Sequence, residues 1–505
     1  MDTTMKRLSV LFATLAAVSA SAQDLATYNK ALSAFNSGDY NKSAQLFFEA
    51  EQTVVDADVR AKAEYYRAAS LAKQGLPFLA GMGYAAIVKH GKTHPMYLKA
   101  VEGVVNMQET LDERDLLPSL LNSQYNDEWA TLPTETLARI NYLIGAISQR
   151  KARYEEARSF LEAVPKDAAV HAKSQYLLGI VLIDPRYPGG PQYQDAINAF
   201  ESVINNQLKN QKDLVQTQQL AMLGLGRAYY NKGEYAKSAE WYEKVPRFSR
   251  YWDVALFENG FARFQNDDFG GALGSLQALH APQFVGAFQP ESWILKSTTY
   301  YFSCLYEEAK SALAAYDEIY GPMAETMKPL IDAQKENEQF YKLVASPDSK
   351  LPKPVLNWVR SNEKMLDLER LFAEIESERR MVESNQGWKA SKLAPELVSL
   401  LDGNKDVVMK LVAGSAAKSR LIEAQRMLKE YSDTAEIIRF ETSKAEKELA
   451  EAGVDQKAML AKQKLYRPRM PAENWNYWKF QGEFWRDEIG YYQYTLRNGC
   501  PKGAE

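Results

Sequence analysis

From Asp24 to about Tyr320, apolar side chains return at steps of three and four residues, and no run alternates as a half-buried strand would. The pattern predicts helix after helix, broken by short polar turns. After Gly321-Pro322 it changes. Ser346-Pro347-Asp348 and Leu351-Pro352-Lys353-Pro354 mark a linker, because proline cannot continue a helix and biases its neighbour toward extended chain. Two longer stripes follow. Met365, Leu368, Phe372 and Ile375 form the first, and Leu421, Ala424, Leu428, Tyr431, Ala435 and Ile438 form the second, which continues through Thr442, Ala445 and Leu449. These heptad-like stripes predict long helices. The alanine-rich seam favours an intramolecular helical hairpin over a coiled-coil dimer.

Self-similarity sharpens the reading. The segment Met222-x2-Leu225-Gly226-x2-Tyr229, then Gly233-Glu234-Tyr235, then Ser238-x3-Tyr242 resembles the tetratricopeptide repeat, with Met222 in place of tryptophan and Pro246 a few residues early. In that pattern Gly226 lets one helix approach its partner closely, Gly233 closes the turn between them, and the tyrosines fill the wedge where the pair crosses. The frame recurs. Gly38-Asp39-Tyr40 leads to Ala44 and Phe47; Ile144-Gly145 to Tyr154, Ala157 and Leu161; Leu178-Gly179 to Tyr193, Ala196 and Phe200; Gly260 to Phe269, Ala272 and Leu276; Tyr306 to Ala309 and Leu313. Tyr235 and Phe269 stand one 34-residue period apart. A degenerate unit over Ala63 to Ile87, turning at Gly75-Leu76-Pro77, fills the gap near the start. Between Ile183 and Tyr193 the turn expands into a Pro/Gly-rich loop, which is expected to project.

The fold expected is therefore all-α: a TPR-like right-handed α-solenoid over residues 23–320, a linker and long helices over 321–465, and an aromatic-rich segment over 466–505. Residues 1–22 are set apart. Lys6 and Arg7, the apolar run Leu8 to Val18 and the small residues Ala20-Ser21-Ala22 read as a secretory signal cut after Ala22, with a periplasm as the expected destination. No later run is long enough to span a bilayer. Export makes a disulfide between Cys304 and Cys500 chemically feasible, but nearly two hundred residues separate them and two isolated thiols are the simpler reading.

Composition adds limits. With 505 residues, 46% of them hydrophobic, the chain is too long for one compact core. A formal charge of −4 and no basic stripe exclude general attraction to nucleic acid. The tail stands out, since nine of the twenty residues from Trp475 to Tyr494 are aromatic. On a helix from Glu483, the residues Phe484, Trp485, Ile489, Tyr492 and Leu496 would share a face. Such a surface either folds back onto the repeats or anchors a partner. The run Asn476-Tyr477-Trp478-Lys479-Phe480-x-Gly482-Glu483-Phe484-Trp485-Arg486-Asp487-Glu488 resembles the envelope repeat proteins of deltaproteobacterial gliding-motility machinery. That resemblance implies a periplasmic or outer-membrane-associated scaffold in a multiprotein envelope complex, one that could associate peripherally with an outer-membrane complex.

Chemistry is sparse. His90 and His94 have the spacing of two helical metal ligands, but Gly91 and Pro95 argue against a helix there, so neither metal nor cofactor is expected. Ser70–Lys73, Ser148–Lys151 and Ser415–Lys418 match a Ser-x-x-Lys pattern without its companion motifs. The expected function is a non-enzymatic scaffold for protein partners. A chaperone-like carrier and an unrecognised cell-wall hydrolase are the alternatives, and oligomeric state is left open. In such arrays the first helix of each unit lines a groove. Positions one and four after the packing glycine nominate Arg227, Tyr230, Phe261 and Phe264, with Tyr301, Tyr142 and Tyr176 on equivalent faces. Arg227 would pair a partner carboxylate, and Trp478 and Trp485 would serve as tail anchors.

Overall fold

The computed structural model describes residues 25–206, 213–465 and 476–500. The predicted signal peptide and Trp475 lie outside them. The described residues are all-α, built from TPR-like helix pairs, and divide into two compact units. The first comprises residues up to Ser174 together with Leu366–Met409, and the second Gln175–Met365 with Lys410 onward. No described helix is long and apolar enough to cross a membrane.

The first unit opens with a helix over residues 25–36 (α1). Then come α2 (Tyr40–Thr53), α3 (Ala57–Lys73), α4 (Pro77–His90), α5 (Tyr97–Leu111), α6 (Leu116–Gln124), α7 (Thr134–Arg150) and α8 (Tyr154–Glu162). A later stretch of chain joins them through α19 (Glu363–Ser384) and α20 (Leu393–Val407). Specific polar contacts hold it. The indole of Trp388 is buried and donates to the Asn41 carbonyl at 3.0 Å. The fully buried Glu378 carboxylate accepts from the Phe78 and Leu79 amides, satisfying orphan N–H groups at the start of α4.

Helix α9 (His171–Ile183) crosses into the second unit, which continues with α10 (Tyr193–Ile204), α11 (Leu214–Asn231), α12 (Tyr235–Glu243), α13 (Trp252–Gln265), α14 (Phe269–Leu279), α15 (Glu291–Phe302) and α16 (Tyr306–Asp332). The helix-packing glycines act as the repeat pattern requires. A Cβ on Gly226 would lie 2.4 Å from the Tyr242 ring, on Gly145 2.6 Å from Leu161, and on Gly179 2.5 Å from Phe200. The turn within six of the pairs follows one design. Gly38, Gly75, Gly233, Ala152, Asp267 and Cys304 all have positive φ, and each, with the residue after it, bonds back to the preceding helix. This is the Schellman ending, a left-handed residue closing a helix.

Three expectations about the second unit change. Proline at 322 does not interrupt the helix, because α16 runs through Pro322 and Pro329. Buried Tyr320, Met327 and Ile331 hold that helix against its neighbours and offset the hydrogen bonds the prolines forgo. The stripe from Leu421 belongs to α21 (Gly414–Glu451). Leu421, Ala424, Leu428 and Ala435 share a core with α16, α17 (Asn337–Ala345) and α18 (Lys353–Arg360), so its partners are short helices as well as the end of the repeats. The loop after Ile183 is tied down rather than projecting. Tyr187 is buried, and the Gln192 amide reaches the Leu182 carbonyl at 2.7 Å.

Candidate functional site

The groove residues nominated from sequence are mostly engaged within the chain. In the first unit Tyr142 is half-buried against Ala138, Val164 and Ala168. In the second, Tyr176 packs on Phe200 with centroids 6.0 Å apart, and burial pushes its hydroxyl up to about 12. Arg227 makes a bidentate ion pair with Glu258 of the next first helix, at 2.6–3.1 Å. Burial opposes its charge, but the Glu258 carboxylate more than offsets this and holds the guanidinium firmly protonated. The expected role of Arg227 as a free clamp for a partner carboxylate is therefore corrected: the chain supplies that carboxylate. Tyr230 meets Tyr235 edge-on at 5.2 Å, Phe261 meets Phe257 at 5.2 Å, Phe264 meets Phe269 and Phe302, and Tyr301 packs beside Tyr306. Most of these rings are half-buried.

The tail, by contrast, presents its aromatics. It is not a helix. Residues 476–500 are extended apart from a turn over 486–490, closed by the Ile489 amide on the Trp485 carbonyl at 3.1 Å. Gly482 and Gly490 adopt positive φ, which ends the helical face expected from Glu483. The extended chain lies across α13–α16. Ile489 is fully buried beside Trp252 and Leu256. The Tyr494 amide donates to the Gly270 carbonyl at 3.2 Å and the Gly499 amide to the Ser303 carbonyl at 3.0 Å. Cys500 is disulfide-bonded to Cys304, with Cα atoms 5.0 Å apart, so the two thiols are not isolated. Glycine makes room on the helix side. A Cβ on Gly274 would fall 1.8 Å from the Tyr492 carbonyl oxygen, and on Gly270 2.4 Å from that of Tyr494. These glycines were the missed sequence signal, since glycines on one face of a short helix mark close backbone approach.

Seated this way, the tail turns Trp478 (76% exposed), Trp485 (60%), Tyr477, Phe480 and Tyr491 to solvent. Beneath them a cleft of about 1150 Å³ opens toward α12–α14. Its floor includes Trp252, Asn259 and Arg263, and its tail wall includes Glu483, Asp487, Glu488 and Tyr492. Arg247 braces the turn, donating to the Arg486 carbonyl at 2.7 Å and to the Asp487 carbonyl at 3.0 Å, and it sits 4.5 Å from the centre of the Tyr491 ring. Burial and the neighbouring Asp487 and Glu483 charges push the Glu488 carboxyl up.

A second polar cluster joins His280, Ser292, Trp293 and Lys296. His280 stacks on Trp293 at 3.9 Å, and burial pushes its imidazole well down and the Lys296 amine down to about 8. The Ser292 hydroxyl donates to the Gln289 carbonyl at 2.6 Å and therefore accepts from His280 Nε2, so it is not primed as a nucleophile. In the first unit, His94 Nδ1 accepts from the Met96 amide, and α4 ends at His90. Among the described residues no group of His, Cys, Asp and Glu converges as a metal site.

No protein-family model matches the chain, and no curated protein matches it. Among solved structures it is similar to the apo form of RapI, at 12% identity and a TM-score of 0.31 over 81% of this chain and 99% of that one. It is likewise similar to the apo form of the quorum sensor NprR from B. thuringiensis, at 12% identity and a TM-score of 0.31 over 75% of this chain and 98% of that one. At those values neither likeness carries a functional argument.

Proposed function

We propose that the chain is an exported, non-catalytic scaffold of the cell envelope that holds partner proteins on the aromatic face of its tail. The observation that carries this reading is the exposure of Tyr477, Trp478, Phe480, Trp485 and Tyr491 on one extended segment that is fixed by a disulfide. Tryptophan and tyrosine dominate interface hot spots, and a rigid anchor loses little conformational freedom when it binds. The bonded Cys304–Cys500 pair supports an oxidising compartment, in keeping with the signal sequence. The tail is favoured over the groove because the groove's arginine already has Glu258 as a partner.

Affinity capture from envelope extract tests the reading with three forms of the mature chain: unaltered, Trp478→Ala/Trp485→Ala, and Phe261→Ala/Phe264→Ala. Stoichiometric partners that disappear with the tail pair support it. Partners lost only with the phenylalanine pair move the working surface to the groove. An unaltered chain that retains no partner removes the scaffold reading.

A further inference from the structure

The cleft beneath the tail has an unbalanced charge pattern. Glu483, Asp487 and Glu488 line it, and none has an ion-pair partner among the described residues. The arginines nearby are already engaged: Arg263 lies between Glu243 and Asp268, and Arg247 is held by backbone carbonyls and aromatic rings. Among the described residues, Lys479 is the lining cation left to balance three carboxylates. Like charges gathered without a counter-ion repel one another and favour an incoming cation.

A second, independent feature lies on the floor of the cleft. Asn259 lines the cleft and is only 6% exposed, yet its Oδ1 has no hydrogen-bond partner. A buried polar group in that state needs a partner, and a ligand amide can supply one. The aromatic wall suits a cation as well. Phe480 and Tyr492 line the cleft and meet each other and Phe484 edge to face at 5.2–5.9 Å, and the Arg247 guanidinium beside Tyr491 shows that a cation fits against such rings here.

We propose that this cleft binds a basic peptide segment, with a lysine or arginine side chain held by Glu483, Asp487 and Glu488 against the tail aromatics and a peptide group bonded to Asn259. The inference rests on the scaffold reading and names the partner chemistry of the same surface. The test uses the full mature, disulfide-bonded chain and a fluorescein-labelled peptide alternating lysine and alanine. Its norleucine counterpart serves as control and spermidine as competitor. Saturable one-to-one binding is expected, weakened by salt and absent for the norleucine peptide. Both Glu483→Gln/Asp487→Asn/Glu488→Gln and Asn259→Leu are expected to weaken it about tenfold.

Unchanged affinity in the triple variant overturns the proposal, as does an Asn259→Leu chain that folds and binds normally, since the charges would then act outside the cleft. The triple variant alters tail residues outside the core, one exposed and two half-buried, and keeps the test open should Asn259→Leu fail to fold. Spermidine displacing the peptide with equal affinity overturns the peptide assignment, and failure to compete supports it. Absent peptide binding with captured partners retained overturns the cationic site alone, whereas loss of the partners themselves is read separately from the Trp478/Trp485 variant.

Discussion

Replacing Gly274 with alanine pits two effects against each other. On the helix, Gly→Ala in α14 is worth about 1 kcal/mol in favour of folding. On the tail, the new Cβ would stand 1.8 Å from the Tyr492 oxygen and 2.7 Å from its carbonyl carbon. Both are backbone atoms, so no rotamer change relieves the clash, and the tail must lift by about 1.5 Å to restore normal contact. That displacement breaks the 3.2 Å bond from the Tyr494 amide to Gly270 and unseats Ile489. The bond contributes about 1 kcal/mol and the isoleucine about 1.5–3 kcal/mol, so tail docking should lose roughly 2–4 kcal/mol.

Hydrogen exchange separates the two effects. The Tyr494 amide of Gly274→Ala is expected to exchange roughly 30- to 1000-fold faster than in the unaltered chain, at about tenfold per 1.4 kcal/mol. The thermal midpoint should fall by a few degrees, because the roughly 2–4 kcal/mol lost from docking outweighs the about 1 kcal/mol gained in the helix. Gly403→Ala is the control, since nothing lies within 4 Å of a Cβ there. If Tyr494 exchange is unchanged in Gly274→Ala, the tail is not seated on α14 and the cleft beneath it does not exist.

Further outcomes follow from the same contacts. Tyr242→Ala should cost about 3–5 kcal/mol by urea denaturation, because the ring fills the space Gly226 leaves, and Gly226→Ala should cost about 1–3 kcal/mol by overpacking it. Burial pushes the Glu378 carboxyl up to about 7, outweighing its two amide bonds. The native state then holds a proton that the unfolded chain releases near 4.5, so stability should fall as pH rises from 5 to 8; Glu378→Gln should flatten that slope, and an unchanged slope contradicts the assignment. Chain recovered from the envelope should show no titratable thiol until reduced, whereas free thiols in that fraction would contradict the disulfide.

What the sequence made legible follows from how local the cause is. The close approach of Gly226 to Tyr242 depends on one helix pair of fixed spacing, so periodicity exposed it. The fate of Arg227 depends on Glu258, which reaches it only after the neighbouring pair has stacked, and single-unit spacing carries no such information. The tail misled for a different reason. Its aromatic spacing suits a helix, but Gly482 and Gly490 set left-handed turns, and the hydrogen bonds that hold it come from α14 and the α15–α16 turn. Asn259 was invisible because its significance is an unmet hydrogen bond, which spacing along the chain does not reveal.

Cys304 joins the repeat logic to the tail, and this allows a test of both. It stands where other pairs place Gly38 or Gly233, at φ 51°, a conformation that costs a residue with a Cβ about 1–2 kcal/mol. A glycine would relieve that strain while adding about 0.5–1 kcal/mol of unfolded-state entropy, so the repeat alone gains from glycine at this turn. The cysteine's compensation is the bond to Cys500 across a separation of 196 residues, which constrains the unfolded chain and fixes the tail. Cys304→Gly and Cys500→Ser should therefore release the tail equally, seen as matched rises in exchange at the Gly499 and Tyr494 amides. Their stabilities should differ, with Cys304→Gly ahead by about 0.5–1 kcal/mol from the relaxed turn. Equal stabilities would mean that Cys304 bears no turn strain, and a tail still protected in either variant would mean that Ile489 and the glycine seats hold it without the disulfide.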